Sequence, residues 1–548
     1  RPSSYDVLRS PDVGRSALAR GAIWGDPQGV DPTETLEADG TTAYAGPSRR
    51  RSAVVGALAA ALGLVAAELL ALILPGRVSA VSSIADRVIS SMPAAPREVL
   101  VGAVGTLDKP LLVLGIVVVV VGGGAVVGAL CAAKPDRAPW WFAGGAVLAL
   151  SVAWDLTTAD LLPLLLETAV AAVVASLVWT RFGPVVETPA AVAGSAEVDR
   201  RTVLRSVGVL SGIALLGVGA VVWARRSSTA AVNAVRTTLR LPAPTDPAAP
   251  LPAGATPDVA DLDPAVTANG DFYRIDVAVN VPTISTDDWR LRIEGRVDRP
   301  LELTWAQLLA RPSIERRITL CCVSNPVGGS LVGTATWQGV RLTDLLDEVG
   351  VHDDASLVVG QSDDGFTAGF PRELLRDGRD AMVAYAMNGE PLPVEHGFPA
   401  RLVVPGLYGY VSATKWLTGI RLTTIEDDTP YWVRREWQAD GRIESASRID
   451  VPRDSSVVPP GEVVIAGRAW RQHVGVGTVQ VSIDGGEWRD ATLADSLGVD
   501  AWRLWTLRWT ARRPAPAPGP HGRHVRRRAE RGGPRRLPRR QQRPAHHR

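Results

Sequence analysis

Lysine is nearly missing from this 548-residue chain: Lys109, Lys134 and Lys415 are its only three among 59 basic residues. Arg, Ala, Gly and Pro abound in its place, a pattern of GC-rich coding rather than of function. Cysteine is equally scarce, at three. That number excludes a disulfide framework, and the absence of any C-x-x-C or C-x-x-C-H leaves zinc ribbons and c-type haem attachment without support. An evenly spread charge is lacking too. The net +2 conceals a tail, residues 511–548, with thirteen Arg and one Glu, so the remainder is acidic at about −10. A nucleic-acid partner would rest on that tail alone, and none is expected.

Long apolar runs are abundant. After a polar, Pro/Gly-punctuated stretch at 1–48, read as a disordered cytoplasmic N-terminus, five apolar segments occupy 49–225: Ala53–Leu74, Leu111–Ala133, Trp141–Leu156, Leu161–Trp179 and Val203–Trp223. Most reach the roughly 20 residues that a helix needs to cross a ~30 Å hydrocarbon core. Arg49–Arg51, Lys134 with Arg137, and Arg181, Arg200, Arg201 and Arg205 all fall on one side if five helices cross. The positive-inside rule makes that side cytoplasmic. Arg77, Arg87, Arg97 and Lys109 in the loop 75–110 weaken this bias without reversing it. The reading is a multi-pass plasma-membrane protein whose later domains are extracytoplasmic. Asp199-Arg200-Arg201-Thr-Val-Leu204-Arg205 resembles a twin-arginine export signal, and positive-inside flanking explains it equally.

Residues 226–264 are Ala/Pro/Asp-rich and read as an extended, semi-rigid spacer holding the next domain off the membrane. Residues 265–430 mix short strands and helices. Trp289-Arg-Leu-Arg-Ile-Glu-Gly alternates as a half-buried strand does, Thr304–Ala310 and Leu342–Val349 read as helices, and Ser356–Val359, Ala381–Ala386, Ala400–Val404 and Gly419–Thr424 as strands. This is α+β. Residues 451–510, with a D-G hairpin at Asp484-Gly485 and Trp502, Trp505 and Trp509, fit an immunoglobulin-like β-sandwich. The Arg/Pro-rich stretch 511–548 reads as an aberrant, truncated or frameshifted continuation of it.

Chemistry-bearing residues gather in 265–437. Ile318-Thr-Leu-Cys321-Cys322 is an apolar strand delivering two thiols into an Asn325-Pro and Gly328-Gly329 turn. Thiolate suits a soft metal centre, although buried cysteine also behaves as a small hydrophobe. His396-Gly-Phe-Pro-Ala-Arg401 brings an imidazole and a guanidinium to a strand mouth, and Arg offers a planar fork matched to phosphate. Ser412, Thr414 and Lys415 add hydroxyls and a second cation.

In combination, the Cys-x-x-Asn turn, Met387-Asn-Gly-Glu-Pro-Leu-Pro-Val-Glu-His396-Gly-Phe-Pro-Ala-Arg401 and Ser412-Ala-Thr-Lys415-Trp resemble the molybdopterin-binding domain of the sulfite oxidase family across residues 270–425. The strands after 451 resemble that family's dimerisation domain, which implies a capacity to form a homodimer. The fold expected is N-terminal transmembrane helices, then an α+β sulfite-oxidase-type domain, then a sandwich. The resemblance implies a Mo-molybdopterin cofactor with Cys322 as the molybdenum ligand. Cys321 replaces the family's usual Gln or Glu and is expected to be packed. It further implies His396, Arg401, Ala413, Thr414 and Lys415 as cofactor contacts, with Ser362, Tyr273, Arg274 and Asp276 near further ones. Tyr431 falls where the family has an active-site tyrosine, and an anion-binding arginine would come from Arg274, Arg434 or Arg435, Arg274 being the choice.

The activity implied is exchange of an oxygen atom with a small substrate such as sulfite, the cofactor carrying the redox chemistry. No His lies in an apolar span, so electrons would leave to an external cytochrome or membrane electron carrier. Two other readings compete: a sulfoxide-type reductase on the same scaffold, and a cofactor-less membrane adhesion or scaffold protein.

Overall fold

The computed structural model describes residues 49–74, 79–91, 108–153, 161–183, 200–277, 280–326 and 328–511. The expectations for 1–48 and for 512–548 lie outside the described residues.

Among the described residues six helices come first: α1 (Arg49–Ala71), α2 (Ala80–Ser91), α3 (Asp108–Cys131), α4 (Ala138–Ala153), α5 (Leu161–Phe182) and α6 (Arg200–Thr238). Among the described residues four of them, α1, α3, α5 and α6, are long and apolar enough to cross a membrane. The remaining expected span corresponds to α4. At 16 residues, α4 spans only about 24 Å at 1.5 Å per residue. Packing nevertheless carries it from one end of the bundle to the other. Its start, Ala138 and Phe142, clusters with Val55 of α1, Cys131 of α3 and Trp179 of α5. Its end, Leu150, meets Leu164 of α5 and Ala80 of α2. The short α2, whose residues 79–83 and 85 are buried, was not anticipated.

The stretch expected to be an extended spacer differs in the structure. Residues 226–238 continue α6 as helix, and at 39 residues it is about 58 Å long, far more than a bilayer core requires. Beyond it the chain does not float free. Gln338 Nε2 donates to the Pro242 carbonyl (2.8 Å), Thr245 N to Ser313 O (2.9 Å), and Glu315 N to Asp246 O (2.9 Å). Leu239 and Leu241 pack on the core of the following domain. Proline denies residues 242–252 a helix, but their carbonyls remain free to accept from a neighbouring sheet.

That domain is α/β, built on two curled sheets. One has the order β2 (Leu301–Thr304), β1 (Arg290–Gly295), β10 (Leu417–Thr423), β5 (Leu357–Ser362), β6 (Thr367–Pro371), with only β1 and β10 parallel. The other is antiparallel: β3 (Ile314–Cys321), β4 (Val332–Arg341), β7 (Met382–Met387) and β8 (Glu390–Pro391), with β9 (Arg401–Val403) pairing β7. Short helices connect the strands. α7 (Trp305–Leu309) starts with a capping box between Thr304 and Gln307, and α8 (Leu342–Val349) buries its leucine face. The apolar run of β7 is explained by burial on both faces. Val383 and Tyr385 join the core shared with β1, β5 and β10, whereas Met382, Ala384 and Met387 join a second core around Trp337 and Phe398.

From Ala446 onward an antiparallel sheet orders β11 (Ala446–Val451), β12 (Gly461–Trp470), β16 (Arg503–Ala511) and β15 (Thr492–Leu493). A separate two-stranded ladder pairs β13 (Gln480–Val481) with β14 (Arg489–Asp490). Between them Asp484 and Gly485 both take positive φ, +53° and +74°, as the D-G turn requires.

Candidate active site

β3 ends at Cys321, and its ladder closes there. Cys322 N still donates to Leu331 O (2.9 Å), and the chain then turns, Asn325 N donating to Cys322 O (3.0 Å). The Asn325 side chain closes the loop by accepting from Leu331 N at 2.9 Å. This gives the Asn of the motif its structural work. The two thiols therefore point apart, as neighbours on a strand must. Cys321 packs with Val332, Trp470 and Trp502 beneath the C-terminal sheet, and burial pushes its thiol up to about 12. Cys322 is only half-buried. Burial raises its thiol too, and the Ser324 amide and hydroxyl oppose that by hydrogen bonding to it.

Tyr273 reaches this site from the domain's opening segment. Phe272 stacks on it (5.3 Å between ring centroids) and lies edge-on to Trp337 and His396. Position 333, opposite Leu320, must be glycine for this to happen, because a Cβ there would lie 2.8 Å from the Phe272 ring. Burial, then the neighbouring Cys322 and Cys321 sulfurs, push the Tyr273 phenol well above its ordinary range, while Arg401 pulls it down.

Arg401 begins β9. The residue is 4% exposed; its guanidinium lies 4.9 Å over the Trp337 ring and donates to the His396 carbonyl at 3.1 Å. Burial lowers its pKa to about 10, with only Tyr273 acting against it. No carboxylate lies within ion-pair distance of it among the described residues. A buried charge without a partner costs several kcal/mol, so this one awaits an anion. His396 is neutral: burial and then Arg401 depress its imidazole to about 4. Its Nε2 faces the Asn269 carbonyl at 3.0 Å, so Nε2 carries the proton and Nδ1 is the acceptor. The positive charge expected from the His396 turn therefore comes from Arg401 alone.

The loop after α9 (Gly409–Ser412) is tied to β9 by Leu402 N→Thr414 O (2.9 Å) and Leu417 N→Ala400 O (2.8 Å). Ala413, Thr414 and Lys415 therefore lie beside Arg401. Thr414 Oγ1 is buried without a hydrogen-bond partner. Lys415 donates to Asp276 (3.0 Å) and to the Glu395 carbonyl (3.1 Å), and burial lowers its pKa to about 8 against the pull of Asp276. Asp276 also holds Arg274 at 2.8 Å, and Arg274 is largely exposed on that outer side. Ser362 closes β5. It heads the turn 362–366, whose Phe366 ring packs on Tyr431 at 5.6 Å. Arg435 lies 3.6 Å over the Tyr431 ring, and Arg434 is exposed. Tyr273, Arg401, Ala413–Lys415 and the cysteines thus form one cluster, to which Tyr431 is joined through the 362–366 turn. An open cleft of about 500 Å³ along Thr283–Trp289 and Gln361 is lined by none of these residues.

Sequence reasoning missed Asn269 and Asn388. The Asn388 amide donates to the Asn269 side chain (2.8 Å), fixing the carbonyl that meets His396. The only signal was their placement in Asn-Gly turns.

Among the described residues no group of three His, Cys, Asp or Glu side chains could hold a metal ion. A metal at Cys322 must therefore bring most of its ligands with it. A lone half-buried thiol, an unpaired buried guanidinium and an unpartnered threonine hydroxyl fit an anionic organic cofactor that carries a metal.

Comparisons with known proteins agree. Residues 278–432 match the family model described as oxidoreductase molybdopterin binding domain. The uncharacterised oxidoreductase YuiH of Bacillus subtilis is 35% identical over 174 residues, 30% of this chain and 84% of that protein. The chain belongs to the sulfite oxidase family of molybdopterin oxidoreductases. Sulfite oxidase of Gallus gallus is 32% identical over 279 residues, 41% of this chain and 60% of that one. The human mitochondrial enzyme is 31% identical, with 50% of its length covered. This family member thus spans only half to three-fifths of those sulfite oxidases. Among solved structures, the sulfane dehydrogenase SoxCD of Paracoccus pantotrophus shares 27% identity over 46% of this chain and 70% of its own, with a TM-score of 0.41. The chain is an oxidoreductase, and its cofactor is Mo-molybdopterin.

Proposed function

We propose that this chain is a membrane-anchored oxidoreductase that moves an oxygen atom to or from a small oxyanion such as sulfite, on the outer face of the membrane. The observation that carries the reading is the pairing of the half-buried Cys322 thiol with the buried, unpaired Arg401 guanidinium.

Cys322 is the protein's ligand to molybdenum. Arg401 and Lys415 hold the cofactor's phosphate, with the Thr414 hydroxyl and the Ala413 and Thr414 loop beside them. Neutral His396 offers Nδ1 as an acceptor. Tyr273 keeps its proton at neutral pH, because burial raises its phenol. It can therefore donate a hydrogen bond beside Cys322 but cannot act as an anion there. When bound, the molybdenum cofactor supplies two-electron oxygen-atom exchange. Ser362, Arg274 and Asp276 are proposed as further cofactor contacts, and Tyr431 and Arg274 as the residues that meet a substrate anion.

The alternation of α1, α3, α4, α5 and α6 between the two ends of the bundle supports five crossings, which put the catalytic domain opposite the Arg49–Arg51 end. Electrons leave to an external cytochrome or membrane carrier. The C-terminal sheet is proposed as an immunoglobulin-like dimerisation domain.

The test is purified full-length protein assayed for molybdenum, for sulfite-dependent ferricyanide reduction, and for viologen-dependent sulfoxide reduction. Stoichiometric molybdenum with sulfite oxidation is expected. Activity with sulfoxide alone reverses the direction of transfer, and a molybdenum-free protein overturns the enzyme reading in favour of an adhesion or scaffold role. Protease added to intact cells should cleave the catalytic domain; full protection would move it to the inner face.

A further inference from the structure

Asp276 and Asn280 are held from two sides, by the membrane bundle and by the Lys415 loop. Asn280 accepts from Arg225 of α6 (2.6 Å) and donates to Ser82 of α2 (2.8 Å). Four residues earlier, Lys109 in the first turn of α3 donates to Asp276 twice, to its carbonyl (2.7 Å) and to its carboxylate Oδ1 (2.8 Å). The opposite oxygen, Oδ2, holds Lys415 at 3.0 Å and Arg274 at 2.8 Å. The Asp276 side chain is 4% exposed. Burial pushes its carboxyl up, but Lys415 and Lys109 outweigh that and hold it well below the usual carboxylate range. One buried carboxylate, 167 residues from Lys109, is therefore shared between a cation of the membrane bundle and the cation of the cofactor loop.

We propose that Lys109 is a positioning residue for the cofactor site: by engaging Oδ1 it neutralises part of the Asp276 charge, so that the Lys415 ammonium held at Oδ2 keeps positive charge to offer an anionic phosphate. The proposal rests on Lys415 as a phosphate contact and extends it, since it makes the bundle part of the site rather than only an anchor. Without Lys109, Lys415 and Arg274 are the cations left on Asp276 among the described residues, and Lys415 is neutralised more fully by it. A charged hydrogen bond of this kind supports an effect on the order of tenfold.

The experiment compares full-length wild type with Lys109→Ala, Lys109→Arg, Asp276→Asn and the Lys109→Ala/Asp276→Asn double variant in detergent. Molybdenum and pterin are measured after gel filtration at low and high salt, together with the thermal unfolding of each protein. Lys109→Ala is expected to lose pterin on the order of tenfold faster, Lys109→Arg to restore retention, and the double variant to lose no more than Asp276→Asn, because the two residues act as one unit. Retention by Lys109→Ala equal to wild type, failure of Lys109→Arg to rescue, or additive losses would each overturn the role of Lys109 while leaving the cofactor reading intact. A wild-type protein without molybdenum would overturn both.

Discussion

Lys415 makes cofactor retention and apoprotein stability respond to pH in opposite directions. Its ammonium is buried, and burial lowers its pKa from 10.5 to about 8 although Asp276 pulls it up. The unfolded chain keeps the higher value. Below about pH 8 both states are protonated and the cost of burying the charge is present in full. Between about 8 and 10.5 only the unfolded state holds the proton, so stability rises with pH across that window. At about 1.4 kcal/mol per unit, the gain is on the order of 3 kcal/mol. Retention of an anionic cofactor needs the charged ammonium and should fall as pH rises through 8, by about tenfold at pH 9. Thermal unfolding of the cofactor-free protein and pterin loss from the loaded protein, each followed from pH 7 to 10.5, check the two trends. Cysteines and tyrosines titrate in the same range, so Lys415→Met is carried in parallel and the difference isolates Lys415. Stability and retention moving together, or a retention break that persists in Lys415→Met, would refute the reasoning.

Cys322→Ser is expected to abolish molybdenum binding, measured by metal content. Cys321→Ser should keep the metal and lose about 1–3 kcal/mol of stability from a hydroxyl buried among Val332, Trp470 and Trp502. The reverse pattern would mean the wrong thiol was chosen. Arg401→Leu should abolish loading yet raise the melting temperature of the cofactor-free protein, because replacing a buried, unpaired cation with an apolar group is worth about 1–4 kcal/mol. Gly397→Ala should destabilise by about 1–3 kcal/mol and lower pterin retention. Gly397 has φ +108°, and its new Cβ would stand 3.0 Å from the Lys415 Cα. Thermal unfolding and pterin content check both.

Sequence alone determined what local pattern controls. Apolar length specified α1, α3, α5 and the membrane part of α6. Period-two alternation specified β1, where Leu291 and Ile293 are buried and Arg290 and Arg292 are not. The Thr304–Gln307 spacing specified the start of α7, and the Cys-x-x-Asn turn placed a thiol at a strand end. Tertiary structure decided the rest, because each remaining feature depends on partners far away in the chain. Residues 226–238 read as spacer until the catalytic domain supplies Glu390 and the Pro391 carbonyl for Arg236, which supports the continued helix. α4 is the shortest of the five apolar segments, and its neighbours at both ends, rather than its length, carry it through the bundle's depth. Adjacent thiols look equivalent in sequence. The alternation of a strand sends Cys321 under Trp470 and Trp502 and leaves Cys322 at the turn, with Arg401 unpaired beside Tyr273. No local pattern could link Lys109 to Asp276, since their contact exists only once the bundle and the catalytic domain are folded against each other.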